Sequence, residues 1–149
     1  MKKIALIIVM IILVCAALVV GFKLGGKDSE SEEKLTATAL SDFSGTWKQS
    51  NVGSSDMWQE AVIGDEEIEI FWISDGGDSK SLYWAGSFEN PETEVSEYSW
   101  ESINNTEKTD SALLASSAES KEFTYKNGYL QYEATAMGVT KTVKLEKVN

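Results

Sequence analysis

The sequence from residue 67 to residue 88 reads EIEIFWISDGGDSKSLYWAGSF. Its first part, Glu67–Ser74, alternates between apolar and polar residues, which is the pattern of a strand with one buried face. The Asp75–Asp78 turn that follows has two glycines between acids, a strong signal for a hairpin. Ser81–Phe88 is therefore predicted to return antiparallel to the first strand. The predicted inward residues are Ile68, Ile70 and Trp72 on the first strand and Leu82, Trp84, Gly86 and Phe88 on the second.

Similar patterns on both sides of this hairpin predict an all-β domain. A second strong hairpin signal is Asn127-Gly128, because this dipeptide suits a type I′ turn. One short capped helix is predicted over Asp110–Ala118, where Asp-Ser precedes an alanine- and leucine-rich segment. About eight strands favour an antiparallel meander, closed as a small barrel or folded as a sandwich. The predicted strands are Thr46–Ser50, Met57–Ile63, Glu67–Ser74, Ser81–Phe88, Glu97–Ile103, Lys121–Lys126, Tyr129–Met137 and Thr140–Val148.

An unbroken apolar run extends from Ile4 to Phe22, directly after a pair of lysines. As a helix it would span about 28 Å, close to the hydrocarbon thickness of a bilayer. It has no charge, no proline and no polar stripe, so residues 1–22 are predicted to be a retained single-pass membrane anchor. Residues 23–39 are polar and glycine-containing, which predicts a flexible linker. Residues 40–149 would then form one extracytoplasmic β-domain.

Two other interpretations of the N-terminal apolar run remain open. The apolar run could be a cleaved secretory signal, although it is longer than the usual apolar region of such signals. It could also be a lipoprotein signal, with Cys15 as the lipidated residue. The lysines before the run favour an N-terminus inside the cell. The predicted location is therefore the cell membrane, with the C-terminal domain extracellular.

Composition excludes several classes of function. The 24 acidic residues outnumber the 13 basic ones, all of them lysine, and the formal net charge is −11. Such a chain has no electrostatic route to phosphate backbones or anionic lipid, so no nucleic-acid partner is expected. Histidine is absent and the single cysteine lies in the apolar run. Serine and cysteine triads are therefore excluded, and we expect no enzyme, no cofactor and no metal.

Two resemblances to known families follow from short motifs. The residues Ser44-Gly45-Thr46-Trp47 resemble the Gly-x-Trp signature of lipocalin-type barrels, in which the tryptophan closes one end of the barrel beneath a ligand cavity. The resemblance implies a basic residue of the last strand packed on Trp47, with Lys144 and Lys147 as candidates. The segments Trp58–Ala61, Ser81–Gly86 and Ala115–Ser117 resemble uncharacterised small envelope proteins of Gram-positive bacteria and their prophages.

The candidate binding site lies on two predicted loops, Glu89–Ser96 and Asn104–Ser111. Binding residues concentrate on loops that a rigid scaffold holds in place. The acids of these loops are expected to form the rim of a shallow site that favours a cationic or neutral polar partner. The candidate rim residues are Glu89, Glu92, Glu94, Glu107, Asp110 and Trp58.

Other candidate residues have simpler explanations. The tryptophans and tyrosines could stack on sugar rings, but Trp72, Trp84 and Trp100 are in phase with apolar residues, which predicts core positions. The acids between 65 and 69 could serve as a glycosidase pair, but they flank a predicted turn. Asp75 and Asp78 could bind calcium, but the turn explains their glycines. Asn104-Asn105-Thr106 matches a glycosylation acceptor in eukaryotic secreted proteins.

The sequence thus supports two hypotheses about function. The first is a membrane-anchored, outward-facing, non-catalytic binding module of the cell envelope, monomeric, which binds an envelope protein or a small polar ligand. The alternative is a prophage-derived surface protein that acts on a protein partner, for example in superinfection exclusion.

Overall fold

The computed structural model describes residues 39–149, and their fold is all-β. Eight antiparallel strands form one sheet that curls into a half-barrel. The predicted anchor and all but the last residue of the predicted linker lie outside the described residues. In the described part of the chain, no helix has the length and apolarity that a membrane crossing requires.

All eight predicted strands are present, and their ends differ from the prediction by at most two residues. The Asn127-Gly128 hairpin is also confirmed, since both residues have positive φ angles of 55° and 84°. The strands are β1 Gly45–Gln49, β2 Trp58–Ile63, β3 Glu67–Ser74, β4 Ser79–Ser87, β5 Glu97–Ile103, β6 Ser120–Lys126, β7 Tyr129–Ala136 and β8 Val139–Lys147.

The strand order in the sheet is β4-β3-β2-β1-β8-β7-β6-β5. Consecutive strands therefore pair as hairpins, except for β4 and β5, and β1 pairs with both β2 and β8. Because the strands alternate in direction, their connections fall at two ends of the sheet. The upper end has the connections 50–57, 75–78, 104–119 and 137–138, and the lower end has 64–66, 88–96 and 127–128.

The free edge of β4 is covered by the connection from β5 to β6. An isolated antiparallel bridge joins Gly86 to Asn104. The amide of Asn105 donates to the Ala85 carbonyl at 2.8 Å, and the amide of Ser116 donates to the Tyr83 carbonyl at 2.8 Å. Unpaired strand edges are open to pairing with other chains, so this connection closes the seam between the two edge strands of the sheet.

The predicted helix over Asp110–Ala118 is wrong. The only helix that the structure describes outside a 3₁₀ turn is α1, Thr106–Thr109, and turns follow it. The amide nitrogen of the Asn104 side chain donates to the Ala118 carbonyl at 2.7 Å, while its oxygen accepts from the Thr109 hydroxyl at 2.6 Å. These bonds join the start of the connection to its end. The backbone amide of Ser116, which a longer helix would use for its own hydrogen bonds, donates instead to a carbonyl of β4.

A β-bulge in β4 corrects the predicted inward face of that strand. The register of β3 with β4 shifts between Ile70 and Phe71, so that Ile70 pairs with Trp84 and Phe71 pairs with Leu82. Tyr83 is the extra residue. A bulge interrupts the alternation of faces along a strand, so residues two positions apart across it lie on opposite faces of the sheet. Trp84 therefore lies on the inner face as predicted, whereas Leu82 lies on the outer face with Phe71.

The lower end of the inner face is filled by aromatic rings. Phe43 precedes β1 and lies in a tight group with Trp47, Tyr125 and Trp100, with ring centroids 5.0 to 6.3 Å from its own. The indole nitrogen of Trp47 donates to the Phe43 carbonyl at 2.9 Å. Trp84 and Trp100 are both in the core, as predicted, and Trp72 is partly buried against it. Rings of this size exclude water from the lower end.

Candidate functional site

The upper half of the inner face contains a buried polar pair. Gln59 on β2 is 0% exposed and Tyr132 on β7 is 3% exposed. The Tyr132 hydroxyl donates to the side-chain oxygen of Gln59. The side-chain nitrogen of Gln59 has no hydrogen-bond partner in residues 39–149. A buried amide normally has its hydrogen bonds satisfied, so this donor is a feature that the packing of the core does not explain.

Tyr132 stays a neutral phenol in this position. Burial, and to a lesser degree the neighbouring Tyr83, raise the pKa of Tyr132 well above its ordinary value. The backbone amide of Gln59 is also occupied, since it donates to the Gln49 side chain at 2.9 Å. Gln59 is therefore held in place by two contacts, and its side-chain nitrogen is left as the free donor of the pair.

Aromatic rings and one lysine continue this site toward the upper end. The ring of Tyr83 lies 6.4 Å from that of Tyr132 and 5.3 Å from that of Trp72, measured between centroids. The ammonium of Lys121 lies 5.1 Å from the Tyr83 centroid and 5.4 Å from the Trp84 centroid. It also donates to the Glu133 carbonyl at 3.3 Å. We call Gln59, Trp72, Tyr83, Lys121 and Tyr132 the inner site.

The strand register separates the charges of the domain by face. Residues that pair directly share a face of the sheet. Lys121 pairs with the buried Ser102, Lys141 pairs with the buried Ala134, and Lys147 pairs with Trp47, so these lysines belong to the inner face. Every acid on a described strand alternates with an inward neighbour and lies on the outer face. These acids are Glu60, Glu67, Glu69, Glu97, Glu101, Glu122, Glu133 and Glu146.

An ion-pair cluster on the outer face fastens α1 to β3. Lys108 contacts the carboxylates of Glu67 and Glu69, the second at 3.0 Å, and the Asn105 side chain donates to Glu67 at 2.8 Å. Partial burial raises the pKa of Glu67, but the hydrogen bonds from Lys108 and Asn105 and the charge of Lys108 outweigh it, so the net pKa lies below the ordinary value. Exposed pairs of this kind contribute about 0–1 kcal/mol, so the cluster supports the seam and does not define a site.

The structure divides the predicted rim into two groups. Glu89, Glu92 and Glu94 belong to the lower connection 88–96, whereas Glu107 and Asp110 belong to the upper connection 104–119. The seven residues of β5 separate the two loops, a distance of roughly 20 Å along a strand. These five acids therefore do not surround one mouth of the sheet.

Trp58, the sixth candidate, lies at the upper end but on the outer face. It pairs with Ile73 and is half-buried. The ammonium of Lys48 lies 4.1 Å from the Trp58 ring centroid, and that of Lys80 lies 4.1 Å from the Phe71 centroid. The outer face of β2, β3 and β4 thus has its own aromatic patch with lysines over its rings.

The remaining candidate residues have structural roles. Asp75 accepts a hydrogen bond from the Ser79 hydroxyl at 2.8 Å within its turn, and Asp65 and Glu66 lie exposed in the turn before β3. No group of three or more metal-ligating side chains occurs within residues 39–149. The Asn104 side chain, the potential glycosylation acceptor, is engaged in the hydrogen bonds that hold its own connection together.

The inner site was not found by sequence reasoning. One signal was available, since Gln59 alternates with Ala61 and Ile63 on a strand that otherwise faces a core. A glutamine among inward residues indicates a buried polar group that needs a partner. Lys121 and Lys141 lie in phase with Phe123 and Val143 in the same way.

The chain matches no protein-family model, and comparisons with curated proteins and with solved structures find no significant similarity.

Proposed function

We propose that this chain is a membrane-anchored, outward-facing binding module of the cell envelope that holds a small polar ligand and is not an enzyme. The observation that carries the binding role is the unpartnered side-chain nitrogen of the fully buried Gln59. A buried donor without a partner costs about 1–3 kcal/mol. A ligand that brings a hydrogen-bond acceptor to this position would satisfy the donor.

The scaffold supports a lipocalin-like interpretation of this role. An antiparallel meander whose last strand pairs with its first is the order of an up-and-down barrel. Lys147 lies directly opposite Trp47, and its ammonium donates to the Asp42 carbonyl at 2.7 Å. Lys144, the other candidate, has its ammonium 5.9 Å from the Tyr129 ring centroid, on the outer face. Lys147 therefore fits the basic residue that the Gly-x-Trp resemblance implies.

The membrane location is proposed from the sequence of residues 1–22. If this segment is a retained anchor, the full-length chain should stay in the membrane fraction after washing at alkaline pH, and Cys15→Ala should stay there equally well. Protease added to intact cells should remove residues 40–149, because a polar linker of this composition is accessible to cleavage. Release of the Cys15→Ala variant would instead identify a lipid anchor, and full protection from protease would reverse the orientation.

The binding role is tested by nuclear magnetic resonance on the full-length chain in lipid nanodiscs. Mixtures of small anionic, neutral and cationic polar compounds should shift the side-chain signals of Gln59 and the ring signals of Tyr83 and Tyr132. Gln59→Leu should abolish the shifts at Tyr83 and Tyr132, since it removes the free donor at nearly constant volume. Gln131→Leu is the matched control, because Gln131 lies on the outer face of β7.

A second candidate function is supported by the outer patch of Trp58, Phe71 and Leu82, two aromatic rings and one aliphatic side chain. A prophage-derived protein acting on a protein partner would use such a surface, since aromatic residues anchor protein interfaces. In the same experiment, an envelope extract would then shift the Trp58 indole signal while the small compounds leave the inner site unchanged. That result would replace the first proposal with the second.

A further inference from the structure

We infer that the ligand of the inner site is a small carboxylate with a planar, apolar body. The inference rests on the proposed binding function and adds the chemical class of the ligand. It follows from the groups that line the inner site and from the absence of acids on the inner face of the described strands.

The charge of the inner face is opposite to that of the whole domain. The chain has a net charge of −11, yet the charged side chains that the register assigns to the inner face near the upper end are Lys121 and Lys141. Both are half-buried. Partial burial weakens the screening of their charges by water. Beyond the acids of the upper connections, such as Glu107 and Asp110, an anion on the inner face therefore meets two ammonium groups and no strand carboxylate.

The aromatic rings of the inner site do not serve a cationic ligand. Rings such as that of Tyr83, and that of Trp84 next to the inner site, commonly attract a cation. Here that position is already occupied by the ammonium of Lys121, at 5.1 and 5.4 Å from the two centroids. A second cation would be repelled by the first, so the rings provide contact area for an apolar body.

The hydrogen-bonding groups of the inner site suit a carboxylate. The free Gln59 nitrogen is a donor, and Lys121 has donors beyond the one directed to the Glu133 carbonyl. That bond is 3.3 Å long, which is weak for an ammonium and readily exchanged for a shorter, charge-assisted bond to a carboxylate. The rings of Trp72 and Tyr83 pack edge to face with centroids 5.3 Å apart, and aromatic surroundings of this kind suit a planar, apolar body.

The test compares three probes with the same ring and different charge: benzoate, benzamide and benzylamine. Each is titrated into the full-length chain in nanodiscs at constant ionic strength, and the signals of Gln59, Tyr83 and Tyr132 are followed. We expect benzoate to bind most tightly and benzylamine most weakly. Lys121→Gln should weaken benzoate about tenfold or more, because a charge-assisted bond is lost, and should leave benzamide nearly unchanged.

Two further variants make the test specific. Lys121→Arg keeps the positive charge and should retain benzoate binding, even if Lys121→Gln is poorly folded. Lys126→Gln should also retain it, since Lys126 lies on the outer face of the same strand and pairs with Glu97. Binding of benzamide or benzylamine in preference to benzoate, or benzoate binding that survives Lys121→Gln, would overturn the carboxylate assignment while the binding function stands. If no probe of any charge shifts the inner site, both proposals fail.

Discussion

Replacing Trp84 by alanine is expected to lower the free energy of unfolding by about 3–5 kcal/mol, the range seen when a buried aromatic residue is truncated. Trp84 is 0% exposed and lies on the inner face opposite Ile70. Its indole nitrogen donates to the Ser102 hydroxyl at 3.1 Å, and Ser102 is also 0% exposed. The substitution therefore leaves a large void and removes the donor that satisfies Ser102.

The measurement is chemical denaturation of the full-length chain, followed by circular dichroism in the far ultraviolet. Trp84→Phe should cost less, since it keeps most of the ring volume and loses the hydrogen bond. Trp58→Ala is the matched control, because it removes a tryptophan of the same size from the outer face, where the ring is half-buried. A cost below about 1 kcal/mol for Trp84→Ala would contradict the buried position.

Most of the fold follows from local patterns that the sequence displays. Alternation of apolar and polar residues is a property of single strands, and the hairpin turns are set by short glycine-containing dipeptides. Both signals act over a few residues, so the eight strands and their meander could be predicted. The bulge at Tyr83 could not be predicted, because it depends on the register between β3 and β4. The sequence of β4 alone does not show which of its residues is the extra one.

The errors share a physical cause, which is long-range contact. Asp110–Ala118 has the local composition of a helix, but its backbone is needed to cover the edge of β4, and tertiary contacts override propensity. The two loops that were expected to share a rim lie at opposite ends of β5. Gln59 and Lys121 are 62 positions apart in numbering yet line one site through Tyr83 and Tyr132. Only the fold brings them together.

The separation of charge by face explains why the acidic composition of the chain does not reveal the lysines of its inner face. The strand acids lie on the outer face, where water solvates their charges. The lysines of the inner face are too few to change the sign of the net charge. Net charge therefore describes the solvent-facing surface of this domain, while the chemistry of its interior is set by a few inward side chains.

A methyl group added at Gly86 is expected to separate β4 from the connection that covers its edge, and so to open the seam between β4 and β5. A Cβ atom there would lie 2.6 Å from the Ile103 carbonyl oxygen and 2.8 Å from the Trp84 indole nitrogen, and it would also clash with the Ser102 hydroxyl. Gly86 is the residue of β4 that forms the bridge to Asn104. Glycine is needed where two backbones approach this closely, so Gly86→Ala should cost about 2 kcal/mol or more.

The Gly86→Ala variant is distinguished from a general loss of stability by hydrogen exchange. The amides of Asn105 and Ser116 donate to carbonyls of β4, and they should exchange faster in Gly86→Ala, while amides between β7 and β8 change much less. Removing the Ser102 hydroxyl in the same chain should not restore stability, because the Ile103 carbonyl is backbone and stays in place. Gly53→Ala is the control, since no atom lies within 4 Å of a Cβ at that position. Equal stability of the Gly86 and Gly53 variants would show that β4 and β5 are not closely apposed, and the seam would have to be held by the ion pairs of Lys108 instead.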